Sequence, residues 1–468
     1  MAGQDHPLAA GPAAGATLTL PPLYAYQEAL VTHPRRDVAV VSATQIGKST
    51  ACAAWLLARL WCHPNARGWW CAPTYWQAEN GYNILKTLAT SAGVVKGLTR
   101  DSKLTFSLIN GAVIECRSWE RDENLQGPSV HYMVIDEAGL LTPSARGILS
   151  SRRSATLGPI RYIGNPTANM TEFWRLVQQA KAADPDDDRA PALMKWTWRD
   201  KAESFAPGPD RDAYINFIED EKKNLPSDEF RRLYEAEFLE IGTGILDFKP
   251  VCVNGGDSAH PVRLPWSEPW NHDPDGFEDE PVVGGLDLGQ RIDWTVLSLV
   301  GRRSGRLKAM LRIKDSSWDL QIEKVIALAS QYGRRGAGTT YASSLGTTPN
   351  AAIPHRTVMV YFDETGVGGP LEERLTALRK DTPVRFRGVT FNSDNKQEMV
   401  QGLQLAIEQR IFSMPWIAEA VSEAETLERT ALSTSIRYKA AEGFHDDVVW
   451  SLGLAVYGLR NSVTGGLV

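Results

Sequence analysis

Two groups of residues in this chain are of types and spacings that do chemistry. The first is Ser42-Ala-Thr-Gln-Ile-Gly-Lys48-Ser49-Thr50, followed far downstream by Asp136-Glu137 at the end of the apolar run YMVI. A loop of this kind between a strand and a helix offers backbone N–H groups and a helix N-terminus to phosphate oxygens. Lys48 then neutralises charge on the β- and γ-phosphates, and the Ser49 hydroxyl ligates Mg²⁺. Asp136 at a strand end holds that ion through water, and Glu137 polarises the attacking water. Ser42, Thr44, Gln45, Ile46, Gly47 and Thr50 complete the predicted nucleotide loop, a variant form with Ser42 where the usual motif has its first glycine. Taken singly, the loop also reads as a turn with an incidental lysine, and the acids as a helix start. The two motifs together favour hydrolysis of a nucleoside triphosphate.

Three more residues belong to this group as candidates. Asn165, in Gly164-Asn165-Pro166-Thr167, stands where a γ-phosphate sensor would sit or where an ordinary turn precedes a helix. Gln27, in Tyr24-Ala-Tyr26-Gln27, either bonds the adenine edge or is an exposed residue beside a hydrophobic staple. Transition-state charge also needs a cation, and Arg152 is the candidate, with Arg146 and Arg153 competing.

The second group is acidic. Asp287 ends the apolar run VVGGLD, Asp363 ends VMVYF, and His445-Asp446-Asp447 opens the last helical pattern. Any one of these reads as a strand-end or helix cap. Three carboxylate stations in one domain instead suit two Mg²⁺ or Mn²⁺ ions about 4 Å apart, with Asp287, Asp363, Asp446 and Asp447 as hard oxygen ligands. Such a pair activates water for in-line attack on a phosphodiester and steadies the leaving oxygen. Asp293 assists there or fixes a hairpin, and His445 ligates or positions.

The elements that must carry these residues follow from the pattern of apolar runs. Strands at 37–42, 68–73, 112–116, 132–137 and 160–166 alternate with helical stretches such as 48–61, which predicts a largely parallel sheet flanked by helices. A second core begins with strands near 282–289, 295–301 and 308–314, then a helix near 319–332, a strand at 358–363 and helices near 395–410 and 446–460. The expected division is a flexible tail at 1–22, an ATPase domain at 23–200, a helical lid or linker subdomain at 201–245, a linker at 246–280 and a nuclease domain at 281–468. Residues 333–354, rich in Gly, Ser, Thr and Ala, read as an exposed loop.

Composition bounds the rest. At 468 residues, with 43% hydrophobic and 23% charged residues, the chain reads as a soluble two-domain protein with no run long enough for a membrane span. Five cysteines without a C-x-x-C pair are expected to be reduced thiols. The net charge of -6 gives no global attraction to nucleic acid, though local basic strips remain.

From about residue 23 to 460 these pieces, in this order, resemble the large terminase subunit of tailed bacteriophages. The match runs through Tyr26-Gln27, TQIGKST, VIDEAG, GNPT, FRRLYEAEFLE, LDLGQRIDWT, FDETGVG, IEQRIFSMP and GFHDDVVWSL. The resemblance implies an α/β chain: a P-loop (ASCE/RecA-like) ATPase domain, a helical linker region, then a ribonuclease H-like nuclease domain. It implies ATP with Mg²⁺ as fuel, two Mg²⁺ (or Mn²⁺) in the nuclease, and packaging and cutting of double-stranded DNA. Portal protein and small terminase subunit are the implied partners, with a homo-oligomeric ring on the portal and a monomer possible in solution. The implied location is the host cell cytoplasm, transiently on the procapsid. Many members have an arginine where this chain has Thr44, so the missing charge is expected from a later arginine, in cis or from a neighbour. A superfamily 2 helicase with an appended nuclease is the alternative, but the stretch between Asn165 and Asp287 leaves little room for a second motor domain. An inert nucleotide-binding scaffold is disfavoured by Glu137 and Asp363, and a resolvase or transposase leaves the first half idle.

Overall fold

The computed structural model describes residues 18–464 except 98, 168–170, 185–186, 188, 241, 243, 254, 266, 272–279, 290–292, 315, 335–356, 366–381 and 432–435. Most of the expected loop at 333–354 and of the tail at 1–22 thus lies outside the described residues. The chain divides into two compact units, Met1–Glu240 and Ile241–Val468.

In the first unit α1 (Ala25–Val31) precedes β1 (Val38–Ser42), whose five residues are all buried. Then come α2 (Lys48–Cys62), β2 (Arg67–Ala72), α3 (Tyr75–Ser91), β3 (Thr105–Ser107), β4 (Val113–Ser118), β5 (Tyr132–Ile135), α4 (Pro143–Arg152), β6 (Ile160–Gly164), α5 (Glu172–Ala182) and β7 (Ala192–Trp196). The strand order among the described residues is β3-β4-β2-β5-β6-β1-β7, parallel throughout except for β3 against β4. A parallel sheet with helical crossovers is covered on both faces, which is why β1, β2 and β6 read as continuous apolar runs. It also puts the carboxyl ends of the parallel strands, and so the loops after β1, β5 and β6, on one edge. β6 lies between β5 and β1, the arrangement of an ASCE-type phosphate-loop sheet. Helices α6 (Trp198–Ser204), α7 (Pro209–Asn224) and α8 (Ser227–Tyr234) close this unit with a small cluster of Ile218, Phe230 and Tyr234.

The second unit begins before the expected boundary. Leu246, Phe248 and Val251, which composition places in a linker, are at most 2% exposed and pack into its core. Its sheet order is β13-β12-β9-β10-β11-β8 among the described residues. The strands are β8 (Pro269–Asn271), β9 (Val282–Asp287), β10 (Thr295–Gly301), β11 (Leu307–Ile313), β12 (Val358–Asp363) and β13 (Val384–Val389). β8 to β11 pair antiparallel, whereas β9–β12 and β12–β13 pair parallel, a ribonuclease H-like sheet. One face takes α9 (Trp318–Arg334) and the other α12 (Asp447–Thr464); α10 (Ser393–Glu408), α11 (Ala418–Thr426) and the hairpin β14 (Leu427–Ala431) with β15 (Ile436–Ala440) complete the unit. Gly285 makes the approach of α12 possible: a Cβ there would come within 2.0 Å of the Ser451 carbonyl oxygen and 2.3 Å of the Ala455 nitrogen. The Ser451 hydroxyl donates to the Gly285 carbonyl at 2.9 Å, locking helix to strand.

Candidate active sites

In the first unit the phosphate loop is braced from outside. Tyr26 Oη donates to the Ile46 carbonyl at 2.8 Å, Gln27 Nε2 to the Gly47 carbonyl at 3.2 Å and Lys201 Nζ to the Gln45 carbonyl at 2.8 Å. Because a peptide's C=O and the next N–H point oppositely, these ties turn the amides of Ile46, Gly47 and Lys48 toward the inside of the loop. Gln45 (φ +53°) and Gly47 (φ +81°) adopt left-handed backbone, and a Cβ at Gly47 would meet Gln27 Nε2 at 2.5 Å. Ser49 and Thr50 follow in the first turn of α2. The Thr44 amide instead donates to the Leu233 carbonyl at the end of α8.

Asp136 and Glu137 follow β5 directly. Glu137 has φ +48°, costly for a non-glycine residue and a feature that clusters at functional sites. That turn carries its carboxylate to 3.4 Å from Lys48 Nζ. Burial and the neighbouring Glu137 outweigh Lys48 and push the Asp136 carboxyl up to about 7. Asn165, at the tip of β6, accepts from Lys48 Nζ at 2.9 Å and donates to the Ser42 carbonyl at 3.0 Å. Ser42, Lys48, Asp136, Glu137 and Asn165 are therefore gathered at one sheet edge.

Two expectations fare differently. Gln27 is 5% exposed, and both ends of its amide are engaged, Oε1 by the Tyr24 amide and Nε2 by the loop. It braces the phosphate loop. Arg152 ends α4, a crossover that starts at the carboxyl edge and finishes at the other. Its carbonyl accepts from the amide of Val130, just ahead of β5, and its guanidinium donates to the Gly127 carbonyl at 2.8 Å. It is not brought to the phosphates. Arg153 is tied at the same far edge to Asp37, while Arg146 pairs with Glu172 at 2.8 Å.

In the second unit the cleft is lined by Asp287, Asp293, Asp363, Lys396, His445, Asp446 and Asp447 among others, and has a volume of about 590 Å³. Phe362 pairs with Leu286, so Asp363 and Asp287 stand one step further along adjacent parallel strands. α12 brings Asp446 and Asp447 against them. Burial, then Asp447, Asp446 and Asp363 in turn, push the Asp287 carboxyl well up, against the relief from Lys396. Burial and Asp446 push Asp447 up to about 7. Asp447 Oδ2 is buried with no hydrogen-bond partner among the described residues, and His445 Nδ1 is 3.5 Å from it. Among the described residues no three such side chains already close round one point as a metal cage. The donor set is nonetheless all hard oxygen, repelling itself and with an orphaned carboxylate oxygen, which fits divalent cations.

With both sites in place, the comparisons with known proteins can be set beside them. The family model "Terminase large subunit, T4likevirus-type, N-terminal" matches residues 40–249. The large terminase subunit of Thermus virus P23-45 is 23% identical over 446 residues, covering 88% of this chain and 82% of that protein. Over most of its length the chain is similar to large terminase subunits. That of Thermus phage G20c is 22% identical with the same coverage. The solved structure of a large terminase from another thermophilic bacteriophage shares the fold, with a TM-score of 0.50 at 12% identity over 94% of this chain and all of that one.

Several site residues of this chain are silent in the sequence. Lys201 as a loop brace, Lys396 in the acidic cleft and Glu423 beneath Asp447 carry no motif. Lys396 sits over the rings of Phe391 and Trp450, at 5.1 and 4.8 Å. An isolated lysine at the start of an amphipathic helix gives no signal that could have found it.

Proposed function

We propose that this chain is a viral DNA-packaging motor that hydrolyses ATP with Mg²⁺ to move double-stranded DNA into a procapsid and cuts concatemeric DNA in its second unit. The observation that carries this reading is the pairing, on one chain, of the Lys48–Asn165–Glu137 cluster at a phosphate loop with the four-carboxylate cleft. Lys48 and the loop amides bind the phosphates, Ser49 and Asp136 hold the magnesium, Glu137 orients and deprotonates water, and Asn165 senses the γ-phosphate. The charge that Thr44 does not supply comes from an arginine of a neighbouring copy in a ring on the portal. In the cleft, Asp287, Asp363, Asp446 and Asp447 would hold two divalent ions, which when bound supply the charge that activates water and steadies the leaving oxygen. The small terminase subunit and the portal are the partners, and the work is done in the host cell cytoplasm and transiently on the procapsid. Among the described residues there is one phosphate-loop sheet, so the helicase alternative lacks its second motor domain.

The test separates the two activities. Glu137→Gln is expected to abolish hydrolysis while keeping nucleotide binding and DNA cutting; Asp287→Ala is expected to abolish Mg²⁺- or Mn²⁺-dependent cutting of plasmid DNA while keeping hydrolysis. Undiminished hydrolysis in the first variant removes the assigned base, and surviving cleavage in the second removes the cleft. Strand separation of a duplex by the purified chain would favour the helicase.

A further inference from the structure

Beneath the last acidic station lies a buried carboxylate that the metal reading does not use. Glu423, on α11, is 5% exposed. Its Oε2 accepts from the amides of Val448 and Val449 at 2.7 and 3.3 Å, the two residues that follow Asp447 in α12. Its Oε1 faces Arg312 of β11 at 3.8 Å, and the Arg312 guanidinium stacks 3.9 Å over the ring of Trp294. The circuit closes on the same station, because the Trp294 backbone amide bonds the Asp447 carboxylate. Four elements therefore converge: α11 grips the first turn of α12, β11 holds α11, and the residue before β10 holds both Arg312 and Asp447.

A buried carboxylate next to a cluster of acids is expensive, and a neutral helix cap would satisfy the same amides at lower cost. What Glu423 adds is a rigid two-bond anchor that fixes where α12 begins, and so where Asp446 and Asp447 stand relative to Asp287 and Asp363. We infer that Glu423, backed by Arg312 and Trp294, is a positioning residue that sets the Asp446-Asp447 station for divalent-cation binding. This rests on the nuclease reading of the cleft.

The experiment measures Mn²⁺ binding calorimetrically, with Asp287→Ala as the reference for binding in the cleft, and the Mn²⁺ dependence of plasmid cutting. It uses the full chain, with ATP hydrolysis as a check on the first unit. Glu423→Ala is expected to weaken Mn²⁺ binding by about 10- to 100-fold, as loss of support behind metal ligands generally does. Cutting should then recover at high Mn²⁺. Glu423→Gln keeps an oxygen acceptor for the two amides and should restore most of the affinity. A folded Glu423→Ala chain with wild-type Mn²⁺ affinity overturns the inference, and so does a Gln variant as impaired as the Ala variant. If the Ala variant does not fold, Glu423→Asp, which shortens the reach, is expected to weaken Mn²⁺ binding and overturns the inference if it does not. A wild-type chain that binds Mn²⁺ without cutting DNA, while Glu423→Ala weakens that binding, sinks the nuclease reading and leaves the positioning role standing; one that does neither sinks both.

Discussion

Lys48 Nζ donates to Asn165 Oδ1 at 2.9 Å, while the same amide's Nδ2 holds the Ser42 carbonyl at 3.0 Å. One side chain just past β6 thus spans the phosphate loop from its first residue to its lysine. Asn165→Ala removes both contacts without touching Glu137. Hydrolysis is expected to fall by about 10²-fold, the usual cost of one preorganised polar group, with nucleotide binding far less affected. Steady-state hydrolysis alongside binding of a fluorescent ATP analogue checks this; a wild-type rate would show that Asn165 is an ordinary turn residue.

The position of Arg152 leads to the opposite expectation. Its guanidinium is bound to the Gly127 carbonyl at the far edge of the sheet. Arg152→Ala should leave ATP hydrolysis by the isolated chain at its wild-type rate. A loss of the 10²- to 10³-fold size seen when a charge-stabilising group is removed would mean that Arg152 reaches the phosphates after all.

Gly285 tests the link between packing and cutting. A Cβ at this position meets backbone of α12 rather than a movable side chain. Gly285→Ala must push the helix outward, at a cost of about 1–3 kcal/mol or more. DNA cutting should be lost because Asp446 and Asp447 ride on that helix, while ATP hydrolysis persists. Wild-type cutting by Gly285→Ala would detach the acidic station from the packing of α12.

Acid stability of the second unit should show the signature of Glu280. Burial raises its carboxyl, but the hydrogen bonds from Lys308 and Ser304 and from the Arg303 and Ser304 amides win and bring it down to about 2. A folded value below the ordinary 4.5 means that the ionised form stabilises the fold. That contribution is complete above about pH 4.5 and fades as the pH falls toward 2. Glu280→Gln should therefore be less stable than wild type at pH 7, with the gap closing across this window. Urea midpoints measured from pH 7 downward give the comparison, and a gap that does not change with pH refutes the assignment.

The sequence was most informative where chemistry and element boundary coincide. Asp136, Asp287 and Asp363 each sit where an apolar run stops, Lys48 opens the helix just after another, and a parallel sheet collects such ends on one edge. Arg152 misled because nearness to Asp136-Glu137 in sequence says nothing of direction, whereas a crossover helix must carry its last turn to the opposite edge. Gln27 was legible as a site residue but not in its role, since its acceptors arise only when α1 folds against a loop some 20 residues away. Glu423 was illegible because its partners, Arg312, Val448 and Val449, come from elements far apart in the chain. The start of the second unit was obscured because Leu246 and Phe248 lie in a stretch without periodicity, and burial there depends on α10 and β11 arriving later in the chain.

The side-by-side placement of Asp287 and Asp363 under Asp446 and Asp447 has a consequence for the life of the protein between cuts. Like charges held together out of water are a loaded spring, and whatever divalent cation quiets them returns that stored energy to the fold. The resilience of the second unit to heat should therefore rise with divalent ion concentration, whereas the first unit should respond to its fuel instead. Two halves of one chain would then report separately on two solutes, one on available metal and the other on available nucleotide.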